Sequence, residues 1–345
     1  MENKGDILSR IQACLLGVQI GDAMGMPWEM MAHEEIMQTT GGKGVTGFSD
    51  PVQRKLKETI HLKAGDTTDD WQLTRANVIS LVRCKGYNPY DIALEHVRAY
   101  ETCNFGWGGT TRRAIEEFKE FFDSRGTRGR SPIVPVPAIG GKRGAGNGAA
   151  MKIAPLAIYN ALEKQDFPKF MRMIEEHAKM THPNIHACSA AQVLAFLICV
   201  VLLELKKEPS EERGLSEFVI RAFKYFSANK EISFRLRRIA IRKAGGEFLL
   251  RINELREEIG TGCFSPESVM FAIAVSLRNP VDFRAGVLEA INSGGDTDST
   301  ASMVGALIGA NCGLEGIPEE WRNFRPEYRD ALELGEKLYD TFKNK

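Results

Sequence analysis

Apolar residues recur at helical spacing along nearly the whole chain, and runs of alternating Val, Ile and Tyr that would make half-buried strands are hard to find. That periodicity restricts the fold to helices packed on helices. After Thr68, the residues Trp71, Val78, Ile79 and Val82 fall at i, i+7, i+8 and i+11, one face of a helix ending near Gly86. Comparable patterns cover roughly 5–21, 89–101, 109–123, 184–206, 214–227, 266–278, 281–292, 298–311 and 327–343. Short polar links join them, so the expected architecture is all-α, a multi-helix bundle forming a single domain over residues 1–345.

Two stretches break the pattern. Gly41–Asp50 has glycines at 41, 42, 44 and 47, and the segment 124–148 is dense in Pro and Gly, so each is read as a loop. The second runs into an apolar helical segment, Met151–Ala157, with no polar spacer, which makes it a site loop and not a linker. Lys and Arg total 45 and so do Asp and Glu. No global field therefore draws the chain to nucleic acid or an anionic membrane, and stable nucleic-acid binding is not expected. Seven scattered cysteines without a C-x-x-C pair read as reduced thiols of a cytoplasmic protein. The apolar stretch Ala13–Ile20 lacks a basic segment before it and has Asp6 and Asp22 close by, so it reads as neither a secretory signal nor a transit peptide. Val193–Leu203, the longest wholly apolar run, is short of the ~20 residues that span a bilayer. A buried central helix is expected there, and no membrane partner.

Two acidic clusters carry the strongest chemical signal. Gly65-Asp66-Thr67-Thr68-Asp69-Asp70 precedes the helix described above, and taken alone it reads as a helix cap with acidic residues against the dipole. Gly294-Gly295-Asp296-Thr297-Asp298-Ser299 precedes a helix in which Ser302, Gly305, Ala306 and Gly309 form a stripe of small residues, which lets a neighbouring backbone approach closely. A cap accounts for one aspartate there but not for Asp-x-Asp, since no Lys or Arg lies within six residues to offset the repulsion. If the clusters converge, Asp69, Asp70, Asp296 and Asp298 match two divalent cations, with Thr68 and Ser299 oxygens adding ligands. Hard oxygen donors select Mg²⁺ or Mn²⁺ over zinc.

Three weaker signals accompany them. Gly17-x-x-x-Gly21-Asp22-Ala23-Met24-Gly25-Met26-Pro27-Trp28-Glu29 ends the first helix at Gly25 and Pro27 and leaves Glu29 on a loop, where a solvated glutamate is the plainer reading. The glycine-rich run 140–152 enters a helix, and its free backbone amides could hold a phosphate, although it is not a Walker loop. Thr181-His182-Pro183-Asn184 starts the apolar helix. His182 and His186 stand at i, i+4, but the run 181–186 holds no Cys, Asp or Glu to complete a metal site, so His182 is better read as a polar ligand contact. The basic run Phe234–Lys243 reads as a solvated helix face.

Taken in order, G-D-A-M-G-x-x-x-E, T-D-D, G-N-G-A-A-M-K, T-H-P and G-G-D-T-D-S resemble the signature set of the ADP-ribosylglycohydrolase family, which includes dinitrogen-reductase-activating glycohydrolase. The resemblance spans residues 17–311 and implies an all-α fold, a binuclear Mg²⁺ or Mn²⁺ centre and recognition of ADP-ribose. It places the metal ligands on Thr68, Asp69, Asp70, Asp296, Asp298 and Ser299, and a glutamate near the metals on Glu29. Gly146, Asn147 and Gly148 match the phosphate- and ribose-contacting loop, and His182 a ligand-contacting histidine. Ser299 stands where threonine is commoner, and Lys152 where arginine is commoner. The implied activity is hydrolysis of the glycosidic bond between ADP-ribose and a protein side chain or small conjugate, with Asp69, Asp298 or Glu29 taking the proton of the attacking water. Two other readings stay open: a two-metal phosphohydrolase cutting the pyrophosphate, and a non-catalytic ADP-ribose-binding scaffold. A monomer is the default.

Overall fold

A computed structural model describes residues 4–52, 62–103, 105–125, 144–204, 214–226, 228–244 and 251–343. Most of the proline- and glycine-rich segment, including Gly140 to Arg143, lies outside them. Sixteen α-helices are found among the described residues. In chain order they are α1 (Lys4–Gly25), α2 (His33–Thr39), α3 (Asp69–Cys84), α4 (Pro89–Thr102), α5 (Gly109–Arg125), α6 (Ala154–Glu163), α7 (Phe167–Lys179) and α8 (Ile185–Glu204), then α9 (Gly214–Phe226), α10 (Lys230–Ala244), α11 (Ile252–Ile259), α12 (Ser265–Arg278), α13 (Phe283–Asn292), α14 (Thr297–Cys312), α15 (Glu319–Arg322) and α16 (Arg329–Phe342). The all-α expectation holds. Helices also form at α2, α7, α11 and α15, outside the stretches where a helix is expected from the apolar period; α7 buries Phe170, Met171, Ile174 and Ala178 at helical spacing and is capped by Asp166, which accepts from Lys169 N at 2.9 Å.

The centre of the molecule is the seam between α1 and α14. A Cβ on Gly17 would overlap the Gly305 carbonyl, one on Gly21 that of Ala301, and one on Gly309 that of Ala13. Glycines four residues apart on α1 thus face small residues four apart on α14, and the two backbones touch. Ser302 Oγ donates across the seam to Val18 O at 3.1 Å. The consequence for the site is positional: the C-terminus of α1 is pinned beside the N-terminus of α14.

Around this pair, α8, α12, α13 and α16 bury their apolar faces in one continuous core. Helix α8 is long and apolar enough to cross a membrane over Ile185–Leu203, but 83% of that span is buried inside the protein, in keeping with the central helix expected there. A smaller core of Leu73, Ile92, Val97, Trp107, Phe118 and Phe122 seals α4 and α5 onto α3. The single ladder among the described residues is a two-residue antiparallel pairing, β1 (Met31–Ala32) with β2 (Gly294–Gly295), Met31 opposite Gly295. It requires both glycines: their φ angles are 75° and 83°, and a Cβ on Gly294 would lie 2.6 Å from Met31 O.

Candidate active site

Helix α14 starts at the floor of the site. Thr297 Oγ1 donates to Gly25 O at 2.8 Å, so the start of α14 satisfies a carbonyl at the end of α1 and the two are tied together. The β1–β2 ladder, with Met30 N donating to Gly295 O at 2.6 Å, swings the loop after α1 back over this junction. Carboxylate oxygens of Glu29, Asp296 and Asp298 then lie within 4.8 Å of one another. Asp296 occupies the N-cap position, but its side chain caps nothing. Its Oδ2 accepts from Asn147 Nδ2 at 2.9 Å, and its N donates to Thr261 O at 2.8 Å.

The start of α3 arrives from the other side. Thr68 is its N-cap residue, as the cap reading expects, yet the Thr68 side chain makes no cap hydrogen bond. Asp22, reaching from α1, does that work: its carboxylate accepts from Thr68 N at 2.9 Å, Trp71 N at 2.9 Å and Thr68 Oγ1 at 2.7 Å. Asp69 and Asp70 are thereby freed from capping. Asp69 Oδ2 accepts from Gly108 N at 3.3 Å. Asp70 Oδ2 accepts from Ser299 Oγ at 3.2 Å, which joins the two clusters directly, while Asp70 Oδ1 is buried with no hydrogen-bond partner. The convergence that spacing alone does not establish is thus present in the fold.

So many carboxylates cannot all be ionised in a dry site without a counterion. Burial, then the Asp22 charge, pushes Asp69 up to about 8, and burial lifts Asp22 to about 7 against its three hydrogen bonds. Asp70 and Asp298 are held well above the ordinary carboxylate range, by burial first and then by their acidic neighbours. The one buried lysine near them among the described residues, Lys152, is itself pulled down to about 7 by burial, a shift that Asp69 and Asp70 oppose. The donors are all hard oxygens, and the orphaned Asp70 Oδ1 is an atom that a cation would satisfy. The residues present therefore fit hard divalent cations. No histidine joins them among the described residues: His186 instead sets its ring edge-on to Phe264, centroids 5.5 Å apart.

Gly146–Gly148 forms the adjoining wall. Asn147 N donates to Cys263 O at 3.0 Å and Ser265 N to Ala145 O at 2.9 Å, so the turn is laced to the start of α12. A Cβ on Gly148 would lie 2.7 Å from His182 Cε1 and 2.9 Å from Thr111 Oγ1, which leaves no room for a side chain. Every candidate residue except Glu29 and Gly146 is buried, and those two are half-buried. Lys152 does not face the cleft at all. Fully buried, its Nζ donates to Gly148 O and, at 2.9 Å, to Thr181 Oγ1, so the exchange from arginine touches the support of the turn and not a phosphate contact.

Asp22 belongs to a sequence motif, but its role as the cap of α3 emerges only from the fold. A signal is nonetheless available: an aspartate near the C-terminal end of a helix opposes the dipole and needs another reason to be there. Gly108 and Thr111, by contrast, reach the site only through the packing of α5, which no spacing reveals.

The ADP-ribosylglycohydrolase family model matches residues 3–345. Human ADP-ribosylhydrolase ARH3 is 29% identical over 97% of this chain and 94% of its own length, and an uncharacterized protein of Archaeoglobus fulgidus is 27% identical over 96% of each. A solved structure, an ADP-ribosylglycohydrolase-related protein complex, superposes with a TM-score of 0.69 at 25% identity, covering 98% of this chain and 99% of that one. With the fold, the five motifs and a match over nearly its full length in agreement, the chain belongs to the ADP-ribosylglycohydrolase family and is a hydrolase.

Proposed function

We propose that this hydrolase cleaves the glycosidic bond joining ADP-ribose to an acceptor, with a binuclear Mg²⁺ or Mn²⁺ centre held by Thr68, Asp69, Asp70, Asp296, Asp298 and Ser299. The observation that carries the reading is the meeting of both acidic clusters, through Ser299 and Asp70, beside the Glu29–Asp296–Asp298 triangle. When bound, the ions supply positive charge that orients ribose hydroxyls and lowers the pKa of a water.

The chain's own groups do the rest. Glycoside hydrolysis passes through an oxocarbenium-like state, so the sugar must be held still and one water aligned. Asn147, tied to Asp296, and the side-chain-free turn at Gly146 and Gly148 give backbone and amide donors for ribose and phosphate oxygens. A carboxylate among Asp69, Asp298 and Glu29 takes the proton of the attacking water. Human ARH3 is named an ADP-ribosylhydrolase, and the same substrate moiety is assigned to this chain on that likeness. A cytoplasmic location and a monomeric chain belong to the same proposal.

Turnover on ADP-ribosylated arginine, serine and small-molecule conjugates, each with Mg²⁺, Mn²⁺ or EDTA, tests it. Release of ADP-ribose that EDTA abolishes is the expected outcome and names the acceptor. Release of AMP would replace the glycosidic reading with pyrophosphate cleavage.

A further inference from the structure

His182 sits on a chain of hydrogen bonds that the hydrolytic reading leaves unused. Its Nδ1 lies 2.9 Å from Thr181 Oγ1, and Thr181 Oγ1 lies 2.9 Å from Lys152 Nζ. Lys152 and Thr181 are fully buried and His182 is 2% exposed, so water does not compete along this path. The other ring nitrogen, Nε2, faces the turn: a Cβ on Gly148 would stand 3.0 Å from it and one on Gly146 3.7 Å. No hydrogen bond from the described residues reaches Nε2.

Proton counting sets the direction of the chain. In its ammonium form, which the charges of Asp69 and Asp70 favour, Lys152 has three donors and no acceptor, so its Nζ, which lies on Gly148 O and Thr181 Oγ1, donates to both. The Thr181 hydroxyl has one proton, and His182 Nδ1 is the only other partner within reach of that oxygen among the described residues. Nδ1 therefore accepts, and in a neutral imidazole the remaining proton belongs to Nε2. Burial holds His182 well below its ordinary pKa, which keeps the ring neutral.

We propose that Lys152 and Thr181 form a relay that fixes His182 in the Nε2–H tautomer, making it a hydrogen-bond donor to an oxygen of the ligand seated against Gly146–Gly148. Lys152 and Thr181 are then positioning residues, and the same lysine anchors the turn that His182 faces. The identity of the ligand rests on the ADP-ribose reading above; the relay itself does not.

The test reads the tautomer directly. In the full chain labelled with ¹⁵N-histidine, two-bond proton–nitrogen spectra distinguish Nε2–H from Nδ1–H, and His182→Gln assigns the resonance among the six histidines. Wild type is expected to show Nε2–H at His182; Nδ1–H or an averaged pattern there overturns the relay. Thr181→Val, nearly isosteric but without the hydroxyl, is expected to lose the fixed tautomer, and Thr181→Ser to keep it. A Thr181→Val chain that retains Nε2–H sinks the proposal. By calorimetry with Mn²⁺ present, ADP-ribose is expected to bind Thr181→Val about tenfold more weakly and Thr181→Ser like wild type. Equal affinity in all three, with wild type binding, removes the donor role. Failure of wild type to bind ADP-ribose counts against the ligand reading, while the spectra still decide the relay.

Discussion

Two helix starts carry nearly the same acidic sequence and are built in different ways. At α3 the capping is done by a foreign carboxylate: Asp22 from α1 takes the Thr68 and Trp71 amides and the Thr68 hydroxyl proton. At α14 no side chain caps the helix, and its position comes from the glycine seam with α1 and the β1–β2 ladder. The outcome is common to both. Neither start consumes its own carboxylates in holding the helix, so Asp69, Asp70, Asp296 and Asp298 are left to face one another. The difference lies in what holds each start: α3 depends on one foreign carboxylate for its cap, whereas the acidic side chains of α14 take no part in capping it.

The sharpest way to break this contrast is Asp298→Asn. Asp298 is buried among Glu29, Asp296 and Asp70, and the amide keeps its shape while removing one charge. Activity on the substrate identified by the turnover panel is expected to fall about 10³-fold. The metal-free melting temperature should hold or rise, because the amide replaces a group whose ionisation burial and its acidic neighbours oppose. Full activity, or a collapse of stability, would show that the residue serves the fold. Asp22→Asn should do the opposite in kind. One carbonyl oxygen cannot accept from two amides and a hydroxyl, so chemical denaturation should report a loss of about 2 kcal/mol. An unchanged unfolding midpoint would mean that α3 is held by its packing alone.

The same asymmetry governs how much of the molecule is legible in its amino-acid order. The helical period exposes α1, α3, α8 and α14, and the small-residue stripe at Ser302, Gly305 and Gly309 announces a close helix contact, which is the seam with α1. The acidic residues stand out because charges without local partners are chemically odd. Their meeting is not legible, since residues 70 and 299 are brought together only by how α3 and α14 pack on α1 and on each other. Asp22 is hidden for a similar reason: its partners are 46 and 49 positions away, and periodicity describes one helix at a time. Helix α7 is a different case, because its buried face is regular and the information for it lies in the sequence itself.

The finest test separates the two starts by protons. Asp69 is raised to about 8 and Asp22 to about 7 in the metal-free fold, so both hold protons that the unfolded chain has released above about pH 4. Over that interval the native state binds more protons than the unfolded one, and their contribution to metal-free stability falls as pH rises. Cations bind the ionised forms and must displace those protons, so the stabilisation by Mn²⁺ relative to EDTA should grow with pH. The buried histidines His96, His177 and His182, depressed in pKa, titrate in the opposite sense but do so with or without metal and drop out of the difference. Each carboxylate adds at most about 1.4 kcal/mol per pH unit, and with partial coupling the metal-dependent gain should increase by about 1 kcal/mol between pH 6 and pH 7. Asp298→Asn should lower the gain at every pH. Asp22→Asn should flatten its slope without removing a ligand, because the proton that the nearby cations would expel from Asp22 is then absent. A gain that is flat with pH in wild type would mean that the carboxylates are already ionised without metal, and the contrast between a capped and an uncapped start would then rest on hydrogen bonds alone.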